Sequence, residues 1–198
     1  TAPGQSATRV SAFTYQGFSG ESCPGAGGQP PPAGTLCSET IEPDAPDPAV
    51  WQQTRHAYDR FGNRAAATAH FRDLGSTGSW ELATRTASTT YDNFGRFPAT
   101  IINALGHVEQ RSYDHRFGAP DSVTGPNGLV TQHRYDGFGR KYLETHLDPS
   151  SARLAETFTT VEALDLAAGE SYRLRSVSSG GGETRSYFDV LQREVRVQ

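Results

Sequence analysis

One short phrase recurs along this chain, and a phrase that recurs inside a longer unit restricts the fold to copies of one small element laid side by side. It reads Tyr58-Asp59-Arg60-Phe61-Gly62-Asn63, Tyr91-Asp92-Asn93-Phe94-Gly95-Arg96, Tyr113-Asp114-His115-Arg116-Phe117-Gly118 and Tyr135-Asp136-Gly137-Phe138-Gly139-Arg140. The third copy carries one extra residue between Asp and Phe. A weaker fifth, Phe188-Asp189-Val190-Leu191-Gln192-Arg193, has Leu for Phe and Gln for Gly. Gly106 precedes Tyr113 by seven positions, and Gly128 precedes Tyr135 by the same seven.

Phe94, Phe117 and Phe138 stand 23 and 21 residues apart, room for two average strands and two turns, so each unit reads as a β-hairpin. Asp-x-x-Gly suits one turn. The Asp carboxylate can accept from N–H groups just downstream, while Gly adopts positive φ without a Cβ clash. Asn103 to Gly106 and Pro126-Asn127-Gly128 supply the opposite turn. Strands such as Leu129 to Tyr135 and Arg140 to Thr145 are polar on both faces, which fits a wide sheet with patchy burial better than a dense sandwich. Two gaps are longer, 33 residues from Phe61 to Phe94 and 53 from Phe138 to Leu191. Trp80, Leu82, Thr84 and Thr86 alternate as a strand within the first; Tyr172 to Val177 meets Ser186 to Asp189 across Gly180-Gly181-Gly182 in the second. Ala163 to Ala168 reads as a helical turn.

Residues 1–50 differ from residues 51–198, and the composition places a boundary between them. Arg9 to Tyr15 reads as a strand; Gly17, Gly20, Gly25, Gly27, Gly28 and Pro30-Pro31-Pro32 then impose an irregular loop. Cys23 and Cys37 flank that loop. They are expected to form a disulfide of the kind that persists outside reducing compartments, or to be two idle thiols. Fourteen positions apart, with no second Cys pair and no adjacent His, they lack the ligand count of a metal site. Pro43, Asp44, Pro46, Asp47 and Pro48 form a stiff acidic connector.

Composition narrows the function. A net charge of -4 with no basic block offers nothing to a phosphate backbone, and no apolar run approaches the ~20 residues of a membrane helix. All 18 basic residues except Lys141 are Arg, scattered singly. Both ends are expected to be cuts in a longer polypeptide, since Val195 and Val197 still alternate as a strand at the last residues.

The repeated phrase, in four copies, two of them with the preceding Gly in register, resembles the YD repeats of Rhs proteins, Tc-type insecticidal toxin B and C subunits, wall-associated polymorphic toxins and teneurins. The resemblance covers residues 51–198. It implies an all-β run of antiparallel hairpins forming part of a curved shell, which in toxin members encloses a C-terminal toxic segment. Tyr58, Tyr91, Tyr113 and Tyr135 would stack along the sheet, and Gly62, Gly95, Gly118 and Gly139 would occupy the turns. The turn at Asp189 departs from the pattern at Gln192, which puts its geometry in question. Implied partners are neighbouring repeats of the same parent chain and an enclosed toxin segment, and the implied location is secreted or at a bacterial cell surface. The self-cleaving core of some members has no counterpart; Asp148-Pro149 is the nearest text.

No catalytic, cofactor or metal site emerges. Adjacent side chains on a strand point to opposite faces, so each Tyr of a Tyr-Asp pair faces away from its Asp. His56, His70, His107, His115, His133 and His146 are dispersed, and Ser178-Ser179-Gly180-Gly181-Gly182 lacks the Lys and helix of a phosphate loop. The chain is therefore expected to be a structural wall rather than an enzyme. The competing reading is an adhesin-like module that binds host-surface carbohydrate through exposed aromatics.

Overall fold

The structure, a computed structural model, describes residues 9–18, 22–25, 30–164 and 169–198. It is all-β. The contacts divide the chain into two units, Thr1–Val108 and Glu109–Gln198. In the first, β1 (Ser11–Tyr15), β2 (Leu36–Ile41), β3 (Gln52–Tyr58), β4 (Arg64–Leu74), β5 (Trp80–Tyr91) and β6 (Pro98–Ile102) pair antiparallel in sequence order, each strand after β1 with the one before it. The second repeats this meander with β7 (Val108–Asp114), β8 (Ala119–Thr124), β9 (Val130–Tyr135), β10 (Lys141–Leu147), β11 (Arg153–Ala163), β12 (Tyr172–Ser178), β13 (Glu183–Phe188) and β14 (Glu194–Val197).

The division falls after Val108, whereas composition marks residue 50. The physical reason is the ladder: Ser38 to Ile41 of β2 pair with Arg55 to Gln52 of β3, so the acidic connector bridges two neighbouring strands of one sheet. Within that connector Asp47 caps a single 3-10 turn, Pro48–Val50, by accepting from Ala49 N at 2.9 Å. Gly20, Gly27 and Gly28 of the irregular loop lie outside the described residues. So does most of the helical turn read at 163–168; Ala163 itself ends β11.

Among the described residues the only apolar side chains in the buried class are Cys23, Cys37 and Tyr187. Most strand residues are half-buried on both faces, because a single layer has no opposing sheet to cover either one. Cross-strand pairs take over from a core. Hydroxyls meet at Thr14–Ser38 (2.8 Å), Thr68–Thr86, Thr157–Ser178 and Thr159–Ser176 (3.0 Å each). Arg173 bonds Glu162, and Arg175 and Arg185 converge on Glu183, whose pKa they pull down to about 2.

Eight of the connections share one construction. In the loops beginning at Asp59, Gly75, Asn103, Gly125, Asp136, Asp148, Ser178 and Asp189, the first N–H bonds the fifth carbonyl and the fourth N–H returns to the first carbonyl. The fourth residue turns left-handed, the three-residue hairpin loop with a bulge that accommodates strand twist. Gly fills that position at six of them, but Ser151 stands there at φ 69° and Gln192 at φ 62°. A residue with a Cβ loses roughly 1–2 kcal/mol in this region, against ~0.5–1 kcal/mol for the extra chain entropy of Gly. Ser151→Gly and Gln192→Gly should each stabilise the chain by up to about 1 kcal/mol in denaturant melts; a loss of stability in both variants would contradict the shared-turn geometry.

Candidate functional site

The candidate site is the series of aspartate turns. Asp59 Oδ1 accepts from Phe61 N and Asn63 N, both at 2.8 Å. Asp136 Oδ1 accepts from Phe138 N (2.9 Å) and Arg140 N (3.0 Å), and Asp189 Oδ1 from Leu191 N (2.8 Å) and Arg193 N (3.0 Å). The second carboxylate oxygen then takes the side chain of the fifth turn residue: Asn63 Nδ2 at 3.1 Å, Arg140 Nε at 2.7 Å and Arg193 Nε at 2.7 Å. The fifth copy thus has the same lock as those at Asp59 and Asp136 although Gln192 replaces Gly.

Two copies carry one residue more, and the lock changes accordingly. Asp92 N bonds Phe97 O instead of Arg96 O, which leaves Arg96 Nε 3.8 Å from Asp92 Oδ2, an oxygen buried without a hydrogen-bond partner. In the third copy Gly118 N reaches Asp114 O at 2.8 Å, and Arg116, inside the turn, binds both oxygens of Asp114.

These bonds set the carboxylates' protonation. The Arg116 bond holds Asp114 below its ordinary range, and the Arg193 N–H does the same for Asp189. At Asp92 and Asp136 burial pushes upward, but the turn N–H groups and the paired Arg outweigh it. Asp92, Asp114, Asp136 and Asp189 are therefore held as carboxylates by the turn, poorly suited to donate or shuttle a proton.

In each unit one aspartate turn packs on a later one. A Cβ on Gly95 would lie 2.2 Å from Phe61 Cδ2, and one on Gly139 would lie 2.9 Å from Phe117 Cδ1. The Phe of one turn therefore lies over the Gly of the turn that follows two strands later. Asn63 Nδ2 strengthens the first contact by donating to Gly95 O at 2.7 Å. Arg60, Arg96, Arg116 and Arg140 lie over Phe61, Phe94, Phe117 and Phe138 at 4.7–5.1 Å. Phe138 is 84% exposed.

The repeat tyrosines use their hydroxyls on the adjacent earlier strand. Tyr58 Oη donates to Leu36 O and Tyr135 Oη to Pro120 O, both at 2.7 Å, and Tyr91 Oη reaches Arg64 O at 3.4 Å. Tyr113 instead bonds the side chain of Arg111. Phe117 is the ring neighbour of Tyr135, with centroids 6.3 Å apart. Sequence reading missed these hydroxyl bonds and the Phe-on-Gly packing. It also missed the turn at Asp148, whose Oδ1 accepts from Ser150 N and Ala152 N. The available signal there was an Asp five residues before the next strand.

Cys23 and Cys37 form a disulfide with S–S 2.01 Å, and both are buried. It holds residues 22–25 against the end of β3, where Tyr58 N donates to Pro24 O at 3.1 Å. Among the described residues no group of three His, Cys, Asp or Glu gathers to hold a metal ion, and no helix is long and apolar enough to cross a membrane.

No family model and no curated protein matches the sequence. Solved structures similar to part of it include a porin-like protein from Bacteroides uniformis, at TM-score 0.35 and 10% identity, covering 77% of this chain and 55% of that one. They also include TcdB2-TccC3, at TM-score 0.39 and 13% identity, and a Photorhabdus luminescens Tc holotoxin pore, at 0.38 and 13%. Each covers 96% of this chain, which spans only 12% of theirs.

Two outcomes test the site. Gly95→Ala should destabilise the chain by at least ~1 kcal/mol more than Asn93→Ala, since it adds a Cβ at positive φ and into Phe61. Phe61→Ala should return part of that loss in a double-mutant cycle; strict additivity would show that ring and glycine do not interact. Thiol titration of denatured, unreduced protein should find no free Cys, and Cys37→Ser should cost about 3 kcal/mol for a loop of this length. Two titrating thiols would refute the bond.

Proposed function

We propose that this chain is a non-catalytic wall segment of a YD-repeat shell, part of a large secreted bacterial protein that encloses or presents a toxic segment. The observation that carries the reading is the repeated docking of one turn on the next, Phe61 over Gly95 and Phe117 over Gly139. Such contacts link hairpin to hairpin. They stabilise a single-layer sheet that can be extended copy by copy, and they create no enclosed cavity where polar groups converge on a reacting atom. The disulfide agrees with an oxidising location. On this reading the partners are neighbouring repeats of the parent chain and whatever the wall encloses.

The second reading, a carbohydrate-binding module, is favoured by the exposure of Phe94 (67%) and Phe138 (84%). A glycan array probed with the chain, run beside assays with ester, phosphate and glycoside substrates, separates the three classes. Wall predicts neither binding nor turnover. Saturable glycan binding lost in Phe138→Ala would establish the second reading, and turnover proportional to protein concentration would overturn both.

A further inference from the structure

His133 lies near the middle of β9 in a cross-strand row separate from the aspartate turns. Its direct partner on β10 is Glu144, and one step along the register from the Ser122–Gln132 pair, Asp121 of β8 stands opposite it on the other side. Directly paired residues of antiparallel strands share a face, so the imidazole lies between two carboxylates. Lys141, opposite Tyr135, and His146, opposite Thr131, flank Glu144 on the same face; β11 places the uncharged Thr157 next to it. The charged and titratable groups facing His133 are therefore Asp121 on β8, Tyr135 on β9, and Lys141, Glu144 and His146 on β10.

Glu144 is already taken. Its Oε2 bonds Lys141 Nζ, and its Oε1 lies 3.1 Å from His146 Nε2, whose other nitrogen is 3.2 Å from Thr131 Oγ1. His133 Nδ1 stops 3.5 Å from Glu144 Oε2, too far for a good hydrogen bond, and is buried without a partner. The His133 side chain is only 15% exposed. In this arrangement a proton on His133 would be a charge placed out of water, competing with Lys141 for one carboxylate oxygen.

We infer that the Asp121–His133–Glu144 row is an acid-sensitive latch on the β8–β9–β10 ladder, closed while His133 is neutral and released by local opening when it takes up a proton. Burial first, then the Lys141 charge, hold the His133 pKa below 6.5, outweighing the attraction of Glu144 and Asp121. The sign follows from linkage. A histidine whose folded pKa is depressed is protonated more readily in the open state, so closure weakens as pH falls below the unfolded value of 6.5 and weakens no further once the folded pKa is passed. Between those limits one proton favours the open state up to about tenfold per pH unit. The inference is independent of what the parent protein encloses.

Hydrogen exchange of the full chain at about pH 7.5 and about pH 5.5, corrected for intrinsic rates, tests it. Protection of the β9 and β10 amides should fall at the lower pH by up to about tenfold per unit below ~6.5, with β12 and β13 unchanged. His133→Gln should remove that pH dependence while Lys141 and Glu144 remain. Protection independent of pH, a fall shared by all strands, or a fall that survives in His133→Gln would overturn the latch. If the variant does not fold, carbon NMR titration of His133 in the unmodified chain decides: an apparent pKa below 6.5 supports it, and one at or above 6.5 refutes it.

Discussion

The five-residue loop sets the rest of this fold, and in four of its eight instances a carboxylate closes it. Asp136 Oδ1 accepts from the N–H groups two and four positions on, Oδ2 holds Arg140, and Gly139 turns left-handed between them. A net gain of ~1 kcal/mol per bond is modest for one turn. It matters here because there is little else: no large side chain among the described residues is fully buried, and ladder bonds alone leave register weakly specified. Where it is present, the lock fixes which residue starts the strand that follows. Register then follows for the whole strand, and with it the cross-strand partners that replace a core.

The same construction accounts for tolerance of variation. Where one residue is added, as after Asp92 and after Asp114, the Oδ1 contact to a nearby N–H survives and only the Arg changes position. Where Gly is lost, at Ser151 and Gln192, the backbone still turns left-handed because four hydrogen bonds to Asp148 or Asp189 hold the loop. An unpaired oxygen at Asp92 and a strained φ at Gln192 are the local costs of these departures. Neither spreads to the strands, because β5 and β13 both pair with their neighbours through ordinary registers up to a single bulge.

Packing between turns extends the lock from hairpin to sheet. Phe61 and Phe117 need a glycine in the following turn for steric reasons distinct from φ: the ring occupies the place of the missing Cβ. One glycine therefore satisfies two constraints, and a Gly-to-Ala change at Gly95 acts on both. Tyr58 and Tyr135 tie the other end of the repeat phrase to the preceding strand, so the first copy bonds backward through Tyr58 and packs forward through Phe61. A wall built of such units needs no second layer, which is the physical basis for proposing a structural role.

By itself the sequence determined the all-β class, the hairpin unit and the turn positions of Gly62, Gly95, Gly118 and Gly139, because those follow from local chemistry: Asp next to its own N–H groups, Gly where φ is positive. Composition suggested a break at residue 50, but only the ladder between Ser38 and Arg55 decided that β2 and β3 share a sheet. The same holds for the Phe over the next glycine, the tyrosine hydroxyls on neighbouring carbonyls and the His133–Glu144 pairing. These contacts join residues 11 to 34 positions apart, and nothing in either partner's local sequence names the other. They exist because register, once set by the turns, carries distant side chains to one face at strand spacing.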